Sequence, residues 1–152
     1  MDELKTAELS TDELSTTEHK IPELTIFYDG GCPLCMKEMR HLHQADSKNK
    51  ILFVDINAND FQSNYPTINK DEANRILHGW VADGSLILGL DVTCKAWSLV
   101  GKGRWLAVLR WPLIKPVADL FYLFFAKYRN SISWWLTGQR RCNSCQLDRK
   151  SP

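Results

Sequence analysis

Two cysteines separated by two residues, Cys32 and Cys35, have the types and spacing best suited to chemistry in this sequence. Pro33 follows Cys32, and proline is favoured at the first position of a helix, so Cys32 is expected at a helix start. Free backbone N–H groups at such a start favour negative charge and lower the pKa of a thiol. Because the thiolate is the nucleophile in disulfide exchange, the spacing predicts that Cys32 attacks and that Cys35 resolves the mixed disulfide.

The elements that must position this pair are a strand and the helix after it. Residues 24–28 are rich in β-branched and aromatic residues and are followed by Asp29 and two glycines, which indicates a buried strand ending in a loop. Beyond the loop the apolar residues take helical spacing, at Cys35, Met39 and Leu42. We therefore expect Cys35 to face the core and Cys32 to be exposed.

The next segments complete an α/β domain. Residues 51–56 form a continuous apolar run that predicts a strand parallel to the first, with the helix as a right-handed crossover. Residues 57–69 are polar and include Tyr65-Pro66, which predicts a loop. A short helix over residues 70–77, capped by Asn69, precedes a hairpin around Asp83 and Gly84, and Asp91 is a candidate cap for a last helix. The order βαβ-α-ββ-α predicts a thioredoxin-like domain over residues 24–100, with residues 29–32 at the carboxyl end of a strand, where ligands of such sheets gather.

The motif Asp29, Cys32, Cys35 resembles the signature of the DCC family of thiol-disulfide oxidoreductases, which has thioredoxin-like character. The hairpin at residues 80–89 and the segment at 111–119 are also similar to that family, and the resemblance covers residues 24–136. It implies redox activity and a functional role for Asp29. From the residues themselves, Asp29 is either a proton acceptor for the thiols or a cap for the turn after the strand.

Three segments flank this domain. Residues 1–23 hold seven acidic side chains against two basic ones and form an expected disordered leader. Residues 101–138 are rich in aromatics and predict two or three short helices, divided by Pro112 and Pro116 and packed on the domain as core. An interfacial helix on a membrane surface is the less favoured interpretation. Residues 139–152 are expected to form a flexible basic tail.

That tail contains a second pair, Cys142 and Cys145. It is a possible second redox pair that exchanges with Cys32 and Cys35, a metal-binding tail, or a set of incidental thiols. Together the four cysteines are the alternative ligand set for a tetrahedral zinc site. However, 106 residues lie between Cys35 and Cys142, far beyond the usual spacing of about 15 to 20. This spacing favours redox chemistry over zinc, while the fifth cysteine, Cys94, is expected to be a small buried apolar residue.

Composition and motifs bound the function further. The amino terminus lacks the apolar stretch of a signal peptide, so a cytoplasmic protein is expected, and there five cysteines indicate redox or metal chemistry rather than structural disulfides. The sequence predicts a protein-disulfide reductase without a cofactor. Its expected partners are a disulfide-containing protein or small molecule and a cellular thiol reductant, with no nucleic acid. The alternative is a zinc-stabilised or membrane-surface binding module with structural cysteines.

Overall fold

A computed structural model of the chain describes residues 21–108 and 111–138. The predicted leader falls almost wholly outside these residues, and the tail with Cys142 and Cys145 lies entirely outside them. The described elements follow the predicted order except for the added helix α2. They are β1 (Leu24–Tyr28), α1 (Pro33–Ala45), β2 (Ile51–Asp55), α2 (Phe61–Asn64), α3 (Lys70–Arg75), β3 (His78–Val81), β4 (Leu86–Leu88), α4 (Leu90–Leu99), α5 (Arg104–Ala107) and α6 (Lys115–Thr137). The thioredoxin-like α/β fold with a C-terminal helix is confirmed.

The four described strands form one mixed sheet in the order β2-β1-β3-β4. Strand β1 pairs in parallel with β2 and antiparallel with β3, which pairs antiparallel with β4. All five residues of β1 are buried, as expected for a central strand. Because Phe27 lies opposite His78, the start of β3 and the end of β1 lie at the same end of the sheet, which we call the sheet edge crossed by α6. The loop that carries the cysteines leaves from that edge.

Apolar clusters cover the two faces of β1. On one face Leu24, Ile26 and Tyr28 pack with the buried residues of α1, which are Met36, Met39 and Leu42. On the other face Phe27 contacts the rings of Phe61, Tyr65 and Trp80. The buried stripe of α1 thus begins at Met36 rather than at Cys35, so the predicted helical register was wrong by one residue at its start.

Two other local predictions differ from the structure. The polar segment expected to be a loop contains the short helix α2, because Phe61 is 2% exposed and anchors it in the core. Asn69 caps α3 as predicted, by accepting hydrogen bonds from the backbone N–H groups of Asp71 and Glu72. In contrast, Gly89 rather than Asp91 occupies the N-cap position of α4.

The C-terminal extension is dominated by a single long helix rather than two or three short ones. Helix α6 has 23 residues, and Pro116 lies in its first turn, where proline costs no hydrogen bond. Its contact with the domain includes Tyr122, whose hydroxyl accepts a hydrogen bond from the Leu77 N–H at 3.3 Å. Gly89 has a positive φ of 59°, and a Cβ there would lie 3.0 Å from the Tyr122 ring. Helix α6 therefore crosses the sheet edge at which β1 ends and β3 begins.

The prediction that the aromatics of this extension form core was wrong for most of them. Tyr122 is partly buried, but Trp111, Phe121, Phe124 and Trp135 are 61%, 70%, 60% and 80% exposed. The physical reason is that a single helix lying on a small domain buries only one of its faces. No described helix combines the length and hydropathy needed to cross a bilayer.

Candidate active site

Cys32 is held at the start of α1 by the turn that follows β1. Its backbone N–H donates to the Asp29 carbonyl at 3.1 Å, and its own φ and ψ are extended, which makes it the N-cap residue. The Cys32 sulfur accepts a hydrogen bond from the Cys35 backbone N–H at 3.3 Å. Pro33 occupies the first turn without leaving an N–H unpaired. The sulfur therefore does the work of a capping oxygen and lies at the positive end of the helix dipole.

The two thiols form a coupled pair with one favoured thiolate. The Cys32 and Cys35 sulfurs are 2.7 Å apart, with the Cys35 thiol donating. This hydrogen bond, followed by the Cys35 backbone N–H and the charge of Arg129, lowers the pKa of Cys32 to about 6 against an opposing effect of burial. The same hydrogen bond, burial and the charge of Cys32 raise the pKa of Cys35. Of the two thiols, Cys32 therefore has the lower pKa.

Asp29 is the anchor of the loop. Its carboxylate is buried, and Oδ1 accepts hydrogen bonds from the Gly31 N–H at 2.9 Å and the Asn57 amide at 2.8 Å. Oδ2 lies 3.1 Å from Nη2 of Arg129. The turn-capping role considered for Asp29 is therefore present, and its buried charge is paired with an arginine.

A second carboxylate, at the end of β2, fixes the same loop. Asp55 Oδ1 accepts hydrogen bonds from the Gly30 N–H at 3.0 Å and the Asn57 N–H at 2.9 Å. A Cβ at residue 30 would collide with this carboxylate. Glycine is therefore required at this position by the close approach of Asp55, not by its backbone conformation.

Arg129 is the residue of the site that sequence reasoning missed. Its side chain is 12% exposed, and Nη2 contacts both Asp29 Oδ2 and Asn74 Oδ1, the latter at 2.5 Å. Nη1 lies 3.9 Å from the Cys35 sulfur. Arg129 lies 94 residues after Cys35 in the sequence, so no local motif links the two residues. The available signal was its position on α6, at helical spacing from Tyr122 on the same inward face.

The exposure predicted for Cys32 was wrong, and Cys35 is less completely buried than expected. Cys32 is 1% exposed, whereas Cys35 is partly exposed. The Cys32 side chain turns back over the first turn of α1 to act as its cap, and α6 crosses this edge of the sheet with Arg129 reaching the pair. Met36, fully buried, takes the inward position expected for Cys35. The low pKa of Cys32 is therefore due to hydrogen bonds and nearby charge, and not to solvation of the thiolate by water.

The other predicted cysteines lie elsewhere. Cys94 is partly buried on α4, with its thiol directed to the Leu106 carbonyl of α5 at 3.8 Å, and burial raises its pKa. Cys142 and Cys145 lie outside the described residues, and so therefore does half of the alternative zinc ligand set. Within residues 21–108 and 111–138 there is no cluster of three or more metal-binding side chains.

A thioredoxin-like sheet with a dithiol capping the helix after β1 defines the class of thiol-disulfide oxidoreductases. The model of the DCC1-like thiol-disulfide oxidoreductase family matches residues 26–135, and the chain belongs to this family. This membership supports a general thiol-disulfide oxidoreductase role.

The chain is also 32% identical over 114 residues to a protein of Arabidopsis thaliana described as uncharacterized and chloroplastic. The match covers 73% of this chain and 53% of the relative, so the chain spans about half the length of that protein. No solved structure matches the chain.

Proposed function

We propose that the protein is a dithiol protein-disulfide reductase in which Cys32 attacks the substrate disulfide and Cys35 resolves the intermediate. The observation that carries this proposal is the Cys32 sulfur at the start of α1, hydrogen-bonded to the Cys35 thiol at 2.7 Å and to the Cys35 N–H. With a pKa of about 6, the Cys32 thiol is about nine-tenths ionised at neutral pH, against about one-hundredth at an ordinary pKa near 9.

The reaction has two exchange steps. The Cys32 thiolate bonds to one sulfur of the substrate, the substrate disulfide breaks, and the leaving sulfur takes up a proton. The Cys35 thiol then loses its proton and bonds to the Cys32 sulfur, which releases the second substrate sulfur as a thiol. The substrate gains two electrons and two protons, and the protein is left with a Cys32–Cys35 disulfide that a cellular thiol reductant returns to the dithiol.

The coupling of the two thiols times the second step. The pKa of Cys35 is raised chiefly by its hydrogen bond to Cys32, then by burial and by the negative charge of the Cys32 sulfur. The hydrogen bond to a thiolate and the negative charge disappear once Cys32 is bonded to the substrate, because that sulfur is then neutral. Arg129, 3.9 Å from the Cys35 sulfur, continues to favour the anion. The pKa of Cys35 therefore falls when the mixed disulfide forms, which favours its attack in the second step.

Access to Cys32 requires a local movement in this scheme. The thiol is 1% exposed, so a substrate sulfur reaches it only when the edge crossed by α6 opens. The contacts of Arg129 with Asp29 and Asn74 hold α6 there and are polar, so a substrate can exchange them for its own polar groups. Asp29 acts through Arg129 in this proposal, as a positioning residue.

The substrate and its location follow from the same chemistry. We include as partners a disulfide-containing protein or small molecule and a thiol reductant, because the dithiol needs both to turn over. A reducing compartment such as the cytoplasm is part of the proposal, since free thiols persist there. The Arabidopsis relative is described as chloroplastic, which makes the chloroplast the second candidate location.

A trapping experiment tests the assignment. Cys35→Ser should accumulate a covalent complex with a disulfide substrate through Cys32, because the resolving thiol is gone. Cys32→Ser should form no such complex, and Cys94→Ser, the matched control outside the site, should turn over normally. Trapping through Cys35 alone would contradict the attacking role of Cys32. Stoichiometric zinc held by Cys32 in protein purified without chelator would favour structural cysteines instead.

A further inference from the structure

Helix α6 has two faces of opposite character. The face toward the domain carries Tyr122, Arg129 and Ser133, and Ser133 is fully buried. The opposite face carries exposed apolar side chains at helical spacing, with the polar Ser131 in the turn between Tyr128 and Trp135. The apolar side chains are Val117 at 52%, Phe121 at 70%, Phe124 at 60%, Tyr128 at 42% and Trp135 at 80%. We call these five residues the outer face.

The exposed apolar surface is broader than a contact with one partner helix needs. Leu120, Leu123 and Leu136 flank the outer face and are 67%, 48% and 60% exposed. At about 100° per residue, the mainly apolar arc from Leu123 to Leu136 spans about 220° of the helix circumference and includes the exposed polar residues Lys127 and Ser131. A coiled-coil partner covers only a narrow seam of two positions in seven. An apolar arc of this width is better matched by a continuous apolar medium.

Aromatic residues mark both ends of this surface. Trp111, just before α6, is 61% exposed, and Trp134 and Trp135 in its last turn are 52% and 80% exposed. Tryptophan is favoured at the boundary between headgroups and acyl chains. A helix with a broad apolar face and basic residues beside it fits a position in the plane of that boundary.

The charge of the same region matches an anionic surface. Residues 102–152 contain ten basic and two acidic side chains, a balance of +8. Among the described ones, Lys102, Lys115 and Lys127 are exposed, whereas Asp119 is partly buried. Lysines beside an apolar helix face are attracted to anionic lipid headgroups. Charge complementarity therefore favours an anionic bilayer over a second copy of this basic region.

We propose that the outer face of α6 binds in the plane of an anionic lipid bilayer, with its inner face still packed on the domain. The proposal rests on residues that do not contact the dithiol. It therefore stands or falls independently of the disulfide chemistry.

Vesicle sedimentation with the full chain tests this proposal. Wild type should pellet with phosphatidylcholine vesicles that contain phosphatidylserine, and much less with phosphatidylcholine alone. Phe121→Glu/Phe124→Glu should weaken binding at least tenfold, because it places two charges in the apolar arc. Leu52→Glu is the matched control, since Leu52 is an apolar residue that is 43% exposed on the edge strand β2 and not on α6. Lys115→Ala/Lys127→Ala should weaken binding to the anionic vesicles and leave the weak binding to phosphatidylcholine unchanged.

Three outcomes would overturn the proposal. Absence of wild-type binding to anionic vesicles, or equal loss in the Leu52 control, would show that the outer face is not a lipid surface. A dimer in analytical ultracentrifugation without lipid, lost in the Phe121/Phe124 variant, would assign this face to a second copy. Circular dichroism and the pH profile of Cys32 alkylation report on folding, and both should be unchanged in the glutamate variants.

Discussion

Replacing Arg129 with alanine should change two properties of Cys32 that can be measured separately, its pKa and its accessibility. Arg129 links α6 to the loop through Asp29 and Asn74, and its Nη1 lies 3.9 Å from the Cys35 sulfur. The variant removes a positive charge beside the thiols and also removes the contacts that hold α6 over them. The first change should make Cys32 a weaker acid, and the second should make it more accessible.

The size of the charge effect follows from the distances. With 2.7 Å between the sulfurs, Nη1 lies within about 6.6 Å of the Cys32 sulfur. Two unit charges at that separation interact by about 2.5 kcal/mol at an effective dielectric constant of about 20. Water entering the vacated space screens the remaining charges, so we expect about half of this, or about one pKa unit. The pKa of Cys32 should rise from about 6 to about 7, still below its ordinary value because the hydrogen bonds from Cys35 remain.

Alkylation of Cys32 as a function of pH, read by peptide mass spectrometry, measures both effects in one experiment. The midpoint of the profile reports the pKa, and the plateau at high pH reports access. Arg129→Ala should raise the midpoint and also raise the plateau, because the 1% exposed thiol becomes uncovered. Arg129→Lys should raise the midpoint much less than Arg129→Ala does, since lysine retains the positive charge.

Lys127→Ala is the matched control for this experiment. Lys127 is an exposed cation on the same helix, with its ammonium group 5.7 Å from the Tyr128 ring and directed away from the thiols. Its removal should leave the midpoint and the plateau unchanged. If Arg129→Ala had the wild-type midpoint, the charge argument would be refuted; an unchanged plateau would show that Arg129 does not restrict access.

Three further predictions concern the stability of the site. Gly30→Ala should lower the free energy of unfolding by about 1–3 kcal/mol, because the new Cβ displaces the Asp55 carboxylate; an unchanged denaturant midpoint would show that the loop adapts. Tyr122→Phe leaves the Leu77 N–H without its acceptor and should cost about 1–2 kcal/mol, with faster amide exchange at Leu77; wild-type exchange would argue against a close α6 contact. The pKa of Cys32 is lower in the folded protein than in the unfolded chain, so the free energy of unfolding of the reduced protein should rise relative to that of Cys32→Ser as pH increases from 6 toward 9. The rise should be at most about 1.4 kcal/mol per pH unit, and a constant difference would contradict the lowered pKa.

The sequence determined the class of fold and the position of the dithiol within it. The apolar run of β1, the turn residues after it and Pro33 are local signals, and each acts within a few residues of where it lies. The cap at Asn69 and the hairpin turn at Gly84 are local in the same sense, and the structure contains both. The sequence anticipated the direction of the Cys32 pKa shift, because a helix start supplies N–H groups, but the largest cause is the hydrogen bond from the Cys35 thiol.

The solvent exposure of Cys32 and the residues that contact the dithiol depend on tertiary packing. The exposure of Cys32 depends on the path of α6, and the contact between Arg129 and the dithiol joins residues 94 positions apart. Periodicity identifies the apolar positions of a helix, but it does not state which neighbour each position meets. For the same reason it assigned the aromatics of α6 to the core. Packing between distant segments determines which side of a helix is buried, and a local sequence pattern does not specify it.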